Sequence, residues 1–138
     1  MKKITLGLSA VILSSLALVA GCSEGREVEV SGEAKAAASV TVDGPISIEF
    51  FEIPAEGSTE APASIKKVEL AALGAFKEMV DVAGDSVRVR ALADTNKDGA
   101  CNDGEAWAEA DAPVKEDGTV DPLTLELSTA ACPTASAK

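Results

Sequence analysis

The chain of 138 residues contains no histidine and no tyrosine, and its aromatic side chains are limited to three phenylalanines and one tryptophan. Without histidine it lacks the side chain that most often serves as a general base near neutral pH or as a zinc ligand. The lysines lie in no recognisable nucleophile motif, and the many acidic residues are better explained as solvated surface than as a glycosidase pair. We therefore expect the protein not to be an enzyme.

Basic residues are also scarce, with 12 Lys and Arg against 23 Asp and Glu and a formal net charge of -11. No cluster of basic residues interrupts this excess. Such a surface repels nucleic acids and anionic lipid headgroups. We therefore expect no nucleic-acid partner and regard cations as natural partners.

Apolar runs are short. The longest spans residues 4–20, follows Lys2 and Lys3, and is interrupted by Thr, Gly and Ser. It is shorter and more polar than the roughly 20 apolar residues of a membrane-spanning helix. We predict that residues 1–21 are a signal peptide. Its removal would take away two of the 12 basic residues and no acid, leaving 10 against 23 and a net charge of -13.

The end of this segment, "LVAGC", resembles the lipobox of bacterial lipoproteins, in which aliphatic and small residues precede a lipidated cysteine. The resemblance implies that Cys22 is the mature first residue and carries a diacylglyceryl group and an acyl chain such as palmitate. Several buried chains would anchor the protein stably to a membrane through a short tether, residues 22–25. Ser23 in place of aspartate points by analogy to the outer membrane of a bacterial cell envelope. The alternative is a free cysteine beside an ordinary cleavage site.

Residues 26–132 show the alternation of apolar and polar side chains that is typical of half-buried strands. In "ISIEFFEI", "SVRVRALAD" and "TVDPLTLELS" the apolar positions recur every second residue. We predict an all-β fold, a small antiparallel β-sandwich of about seven strands, followed by a tail at residues 133–138. Arg88 and Arg90 are expected to form cross-strand ion pairs with acidic residues, and Trp107 is expected in the core.

The stretch from residue 65 to 83 has two interpretations. Ile65, Val68, Ala72, Phe76 and Met79 follow helical spacing, whereas other apolar positions follow strand spacing with a turn at Gly74. A glycine inside a helix costs about 1 kcal/mol. Because strands with frequent turns also fit the rest of the chain, we predict two strands here.

The order of "VEL", "GAF", "VDVAG" and "VRVRALAD" resembles the transthyretin-like or carboxypeptidase-regulatory-like β-sandwich over residues 26–128. In that family a hairpin through Gly-x-Phe precedes a strand that ends in Asp. The resemblance implies an accessory, binding or structural unit and no catalytic residues.

Two cysteines, Cys101 and Cys132, remain beside Cys22. In an exported protein thiols meet oxidising conditions, and a bond between these two is the simplest pairing. Closing a loop of about 30 residues stabilises a fold by about 3 to 4 kcal/mol in the chain-entropy account. The alternative is a pair of free buried thiols.

The twelve residues "DTNKDGACNDGE", residues 94–105, contain both asparagines of the chain. They are called the acidic loop below. They match the EF-hand calcium pattern D-x-[DN]-x-[DN]-G-x5-E. Ca²⁺ takes six to eight oxygen ligands at about 2.3 to 2.6 Å, and a glycine at Gly99 permits the sharp turn between them. The predicted ligands of Ca²⁺ are the side chains of Asp94, Asn96 and Asp98, the carbonyl of Ala100, Asn102 directly or through water, and a bidentate Glu105.

The acidic loop also departs from the EF-hand family. Its flanks have strand patterns instead of helical ones, Cys101 stands where that family usually has an aliphatic residue, and no second loop is present. We therefore predict a structural site of weak affinity, with Kd on the order of 10⁻⁴ to 10⁻³ M. The alternative is a solvated acidic loop with ordinary Asp-Gly turns.

Two functions follow from these features. The first is an envelope lipoprotein with a calcium-stabilised sandwich that serves as a non-catalytic accessory or structural interaction module for an unidentified protein partner. The second is a lipoprotein that captures a small ligand or carbohydrate, for which an apolar pocket or an exposed aromatic near Phe50, Phe51 or Trp107 is required.

Overall fold

A computed structural model describes residues 25–133, and all of its regular elements are β-strands. The predicted signal peptide, Cys22 and residues 134–138 of the tail lie outside the described residues. Within residues 25–133 no helix is long and apolar enough to cross a membrane. The seven strands are β1 (Arg26–Ala36), β2 (Ile46–Glu52), β3 (Ala63–Leu70), β4 (Gly74–Val82), β5 (Ser86–Ala93), β6 (Ala106–Pro113) and β7 (Leu123–Leu127).

The strands form two sheets, one with the order β4-β1-β7 and the other with the order β3-β2-β5-β6. This confirms the predicted seven-stranded all-β sandwich. The prediction that the sandwich is antiparallel is wrong for one pairing, because β7 runs parallel to β1 from Gly32↔Leu123 to Ala36↔Leu127. A parallel bridge between Glu29 and Thr119 brings the chain back beside the first half of β1. Because β7 continues from there, it runs in the same direction as β1.

The core lies between the sheets and is built from alternate residues of the strands. Of the apolar positions predicted from the period of two, Leu123 is partly buried. The others have an exposed fraction of 0 or 1%, namely Ile46, Ile48, Phe50, Val87, Val89, Ala91, Leu125 and Leu127. Phe50 of one sheet meets Phe76 of the other in an edge-to-face pair with ring centroids 6.2 Å apart. Such a pair adds about 0.5 to 1.5 kcal/mol to the effect of burial alone.

Residues 65–83 form strands β3 and β4, which confirms the prediction of two strands over one helix. The two strands do not pair with each other. Strand β3 pairs with β2 and strand β4 pairs with β1, so the short turn at residues 71–73 crosses from one sheet to the other. Val80 and Val82, which are among the apolar positions with strand spacing, are both buried.

The prediction that Trp107 lies in the core is wrong. Alternation along β6 turns Ala106 and Ala112 inward, which leaves Trp107 half-buried on the outer side. Its indole N–H donates to the carbonyl of Ala130 at 2.9 Å. Its backbone N–H and carbonyl both bond to Ser128 at 3.0 Å, in an antiparallel bridge. Trp107 therefore links the β6 edge of one sheet to the end of β7 in the other.

The outer face of β5 and β6 carries the predicted cross-strand ion pairs. Arg88 donates to both carboxylate oxygens of Asp111, at 2.6 and 2.8 Å. Arg90 donates two bonds to Oε2 of Glu109, at 2.9 and 2.6 Å. The hydrogen bond from Arg88 is the largest influence on Asp111 and lowers the pKa of that carboxyl, although desolvation opposes it. The prediction for the two arginines is confirmed.

Candidate functional site

The acidic loop connects β5 to β6 at one end of the sandwich. Its backbone adopts left-handed φ values at Lys97 (60°), Gly99 (77°) and Gly104 (93°). Gly99 therefore makes the sharp turn predicted for it, in a conformation that a side chain disfavours. Glu105 closes the loop and, among residues 25–133, is the one buried charged side chain, with 4% of its surface exposed.

The carboxylate of Asp94 organises the first half of the loop. Its Oδ1 accepts the N–H of Asp98 at 3.2 Å, and its Oδ2 accepts the N–H of Gly99 at 2.7 Å. The N–H of Asp98 is shared with Oδ1 of Asn96 at 3.0 Å. Asp94 and Asn96 thus both point their oxygens back into the loop.

The carboxylate of Asp98 accepts hydrogen bonds from the side chains of both asparagines. Its Oδ1 accepts the N–H of Ala100 at 2.8 Å, while its Oδ2 accepts the amide groups of Asn96 at 3.0 Å and Asn102 at 2.9 Å. The bond from Ala100 is the largest influence on the Asp98 carboxyl and, with the bond from Asn102, lowers its pKa. The carbonyl of Ala100 accepts a longer bond, at 3.3 Å, from the Asn102 amide.

Glu105 binds the loop at both of its ends. Oε1 accepts the N–H and the hydroxyl of Thr95 at 2.8 and 3.1 Å and the N–H of Asn96 at 3.4 Å. Oε2 accepts the N–H of Asn102 at 3.0 Å. Desolvation is the largest single influence on the Glu105 carboxyl and raises its pKa, but the hydrogen bonds from Asn102, Thr95 and Asn96 together outweigh it, so the pKa is lowered.

The structure thus gathers the predicted ligand residues into one hydrogen-bonded loop, with the carboxylates directed at backbone N–H groups. It does not bring three carboxylates to one centre: residues 25–133 contain no group of three or more His, Cys, Asp or Glu side chains arranged to hold a metal. Backbone N–H groups of the loop donate to Asp94, Asp98 and Glu105, of which Glu105 is buried and Asp98 is exposed. This satisfies the negative charges locally and explains how the loop closes despite their repulsion.

Cys101 and Cys132 form a disulfide with Cα atoms 5.6 Å apart, which confirms the predicted pairing. The bond ties the segment that follows β7 to the acidic loop. Sγ of Cys132 also lies 3.2 Å from the carbonyl oxygen of Asn102. The disulfide therefore contacts Asn102, the residue whose N–H donates to Glu105.

Two further residues of this region, Thr95 within the loop and Lys67 beside it, have no signal in the sequence. Thr95 holds Glu105 through its N–H and hydroxyl, although the calcium pattern leaves this position free. Lys67 of β3 reaches across the sheet end, and its Nζ lies 3.8 Å from the place where a Cβ on Gly99 would stand. Lys67 also lines an open cavity of about 390 Å³ together with Asp94 and Asp98. Only the sheet order β3-β2-β5-β6 brings this lysine near the loop.

The aromatic residues named for ligand capture lie in three different surroundings. Phe50 is buried in the core, and Phe51 is half-buried with the guanidinium of Arg90 5.0 Å from its ring centroid. Trp107 lines an open cavity of about 390 Å³ with Glu109, Thr124 and others. Trp107 therefore combines a half-buried indole with an adjoining cavity.

The lowered pKa values predict loss of stability in acid. A carboxyl whose pKa is lower in the folded chain than in the unfolded one contributes stability that is complete above the unfolded pKa and is lost as pH falls through the folded pKa. For Glu105 and Asp111 we expect the free energy of unfolding to be level above about pH 5 and to decrease below it. Urea unfolding measured in steps from about pH 7 to pH 3 tests this. A free energy that rises towards acid pH would contradict it.

The resemblances to lipoproteins, to a sandwich family and to EF-hand loops depend on short motifs. No protein-family model, curated protein or solved structure matches the chain.

Proposed function

We propose that the protein is a lipid-anchored module of the bacterial cell envelope whose β-sandwich is stabilised by Ca²⁺ at the acidic loop and which serves as a non-catalytic accessory or structural interaction unit. The observation that supports the calcium site best is that Asp94, Asp98 and Glu105 each accept hydrogen bonds from the backbone of one twelve-residue loop, with Glu105 buried. Burial of a charged carboxylate is costly unless the charge is paired, so a cation beside Glu105 would stabilise the loop.

The donor set suits a hard cation. Each carboxylate has about four lone-pair sites, so the N–H bonds leave acceptor capacity for a cation. Asn96 and Asn102 bring their amides to within 3.0 and 2.9 Å of Asp98, and each amide has an oxygen as well as a nitrogen to present there. Ca²⁺ would be held by Asp94, Asp98 and Glu105 with these amides and the Ala100 carbonyl. The ion would supply positive charge to a loop that carries the carboxylates of Asp94, Asp98 and Glu105.

The flanking elements indicate a structural role for the ion. The acidic loop is joined to β5 and β6, which are paired along eight residues from Ser86↔Pro113 to Ala93↔Ala106. Strands held in this way have no helix pair to open, which is the movement that calcium-sensing EF-hands use. We infer that the ion would fix the loop end of the sandwich and would not act as a switch.

The lipid anchor rests on the sequence "LVAGC" and its Cys22. The described domain begins only a few residues later, since β1 starts at Arg26. A tether of this length would hold the sandwich close to the membrane surface. We therefore infer that its partners are other components of the envelope.

Thermal unfolding with and without calcium tests the proposal. At a Kd of about 10⁻⁴ to 10⁻³ M, about 10 mM Ca²⁺ should add about 1.4 to 2.7 kcal/mol to the free energy of unfolding relative to EDTA. For a domain of this size the Tm should rise by several degrees. Mg²⁺ at the same concentration should give a smaller rise, because it requires a tighter octahedral site.

A pair of variants in the same loop sharpens the comparison. Asp98→Asn removes a proposed ligand and should abolish most of the calcium-dependent rise in Tm. Asp103→Asn removes the same charge from an exposed carboxylate that makes no hydrogen bond or ion pair among residues 25–133, and should leave the rise nearly intact. Identical melts in calcium and in EDTA for the unmodified chain would refute the calcium site.

Capture of a small polar ligand such as a carbohydrate is the second candidate, and the half-buried Trp107 beside its cavity is the observation that favours it. An indole face next to hydroxyl and carboxylate groups suits a sugar, since it offers an apolar surface with polar partners. Saturable changes in the fluorescence of Trp107 on titration with saccharides would favour this candidate over the first.

A further inference from the structure

We propose that the Cys101–Cys132 disulfide is a redox-sensitive latch, which holds the acidic loop and the Trp107 edge together and whose reduction by a dithiol frees both while the sandwich stays folded. The two cysteines are 31 residues apart in the chain, and the bond joins segments that belong to no strand. The latch acts through protein contacts alone and is independent of calcium.

On the loop side the disulfide restrains the residues that Glu105 binds. Cys101 stands directly before Asn102, whose N–H donates to Glu105 Oε2 at 3.0 Å and whose carbonyl accepts the N–H of Glu105 at 3.1 Å. Ala100 directly precedes Cys101, and its N–H donates to Asp98. Without the bond to Cys132, the position of residues 100–102 depends on these hydrogen bonds at the protein surface.

On the other side the disulfide restrains the chain that follows β7. Ser128 pairs with the backbone of Trp107, and Ala130 accepts the indole N–H. Between Ala130 and Cys132 the chain has no regular structure and pairs with no strand. Exposed hydrogen bonds outside the core open at low free-energy cost. Reduction should therefore let residues 129–133 leave the indole of Trp107.

The disulfide is placed so that it can react without unfolding of the domain. Both cysteines are partly exposed, and neither belongs to the cluster of buried core residues. A thiolate of the dithiol would attack one sulfur, forming a mixed disulfide and releasing the other cysteine as a thiolate that takes up a proton. The second thiol of the reductant then attacks the reductant's own sulfur in the mixed disulfide, which releases the second cysteine as a thiolate that takes up a proton. Two electrons pass to the cysteine pair, and the reductant is left as a disulfide.

The test uses the full-length chain with Cys22→Ser, so that Cys101 and Cys132 are its remaining thiols, in EDTA buffer with dithiothreitol as the dithiol. Fluorescence of Trp107 reports the edge directly, because it is the single tryptophan. Reduction should shift its emission to longer wavelength. Hydrogen exchange at the amides of Asn102, Glu105, Trp107 and Ser128 should quicken by at least about tenfold more than exchange in β1 and β4, which reports the general loss of stability.

A matched variant separates the bond from the reagent. Cys101→Ser with Cys132→Ser should show the reduced emission and the fast exchange before any dithiothreitol is added, and should not respond to it. If two thiols per chain titrate after reduction and neither emission nor exchange has changed, the disulfide is no latch. Exchange that quickens by the same factor in β1 and β4 as at these four amides would show only a general loss of stability and would also overturn the proposal. Since calcium is absent, failure of the calcium proposal leaves these outcomes unaffected.

Discussion

Glu105→Gln is expected to lower the free energy of unfolding by about 2 to 3 kcal/mol in calcium-free buffer, as judged from hydrogen bonds to a charged acceptor. The ionised carboxylate accepts bonds on both oxygens, from Thr95 and Asn96 on one and from Asn102 on the other. A glutamine can keep its oxygen on the Thr95 side, but then its NH₂ group faces the N–H of Asn102. Two donors opposed in a buried position leave one of them without a partner.

Urea unfolding of the Glu105→Gln chain at neutral pH gives the loss directly. Asp103→Asn is the matched control, because it removes one negative charge from the same loop at an exposed side chain that makes no hydrogen bond in residues 25–133. Its stability should stay within about 0.5 kcal/mol of the unmodified chain. If the two variants lose equal stability, net charge governs the loop and the hydrogen bonds of Glu105 do not.

Gly32→Ala is expected to cost about 3 kcal/mol, the upper part of the usual range for overpacking. Gly32 lies in β1 between both of its neighbours, opposite Phe76 of β4 and Leu123 of β7. A Cβ on this residue would overlap the carbonyl oxygen of Leu123 and come within 2.8 Å of Cζ of Phe76. The first is backbone and cannot turn aside, while the second belongs to the ring that packs on Phe50.

Denaturant unfolding of Gly32→Ala beside Gly25→Ala isolates this crowding. A Cβ on Gly25 would meet its nearest atom, Cβ of Asp81, at an ordinary 3.6 Å. The control should therefore change stability by no more than about 1 kcal/mol in either direction. A Gly32→Ala chain as stable as the control would mean that β7 can move away from β1 without loss, and that the parallel pairing matters little.

The alternation of apolar residues predicted the strands and their buried faces, because a period of two fixes which side chains share a face. It did not predict the direction of β7 or the role of Gly32, since both depend on which strands become neighbours. Trp107 shows the same limit. Its size favoured burial, but the small alanines of β6 are the inward residues and the indole instead closes an edge.

The acidic loop was predictable to the extent that its pattern fixes local geometry. The turn at Gly99 and the carboxylate of Asp94 that accepts its N–H follow from residue types at set spacings. The contributions of Thr95 and Lys67 could not be predicted in this way. Thr95 acts largely through its backbone, and Lys67 comes from another strand that only the sheet order brings near.

The parallel alignment of β1 and β7 determines how the domain resists being stretched. Because the two strands are parallel, Arg26 at the start of β1 and Leu127 at the end of β7 lie at opposite ends of the pair. Tension applied at these two residues would therefore slide the strands lengthwise past each other. The pairings from Gly32↔Leu123 to Ala36↔Leu127 would then carry the load together instead of parting one after another. The pairing of β1 with β7, where Gly32 allows the two backbones to approach, would therefore be the part of the domain that resists this extension most.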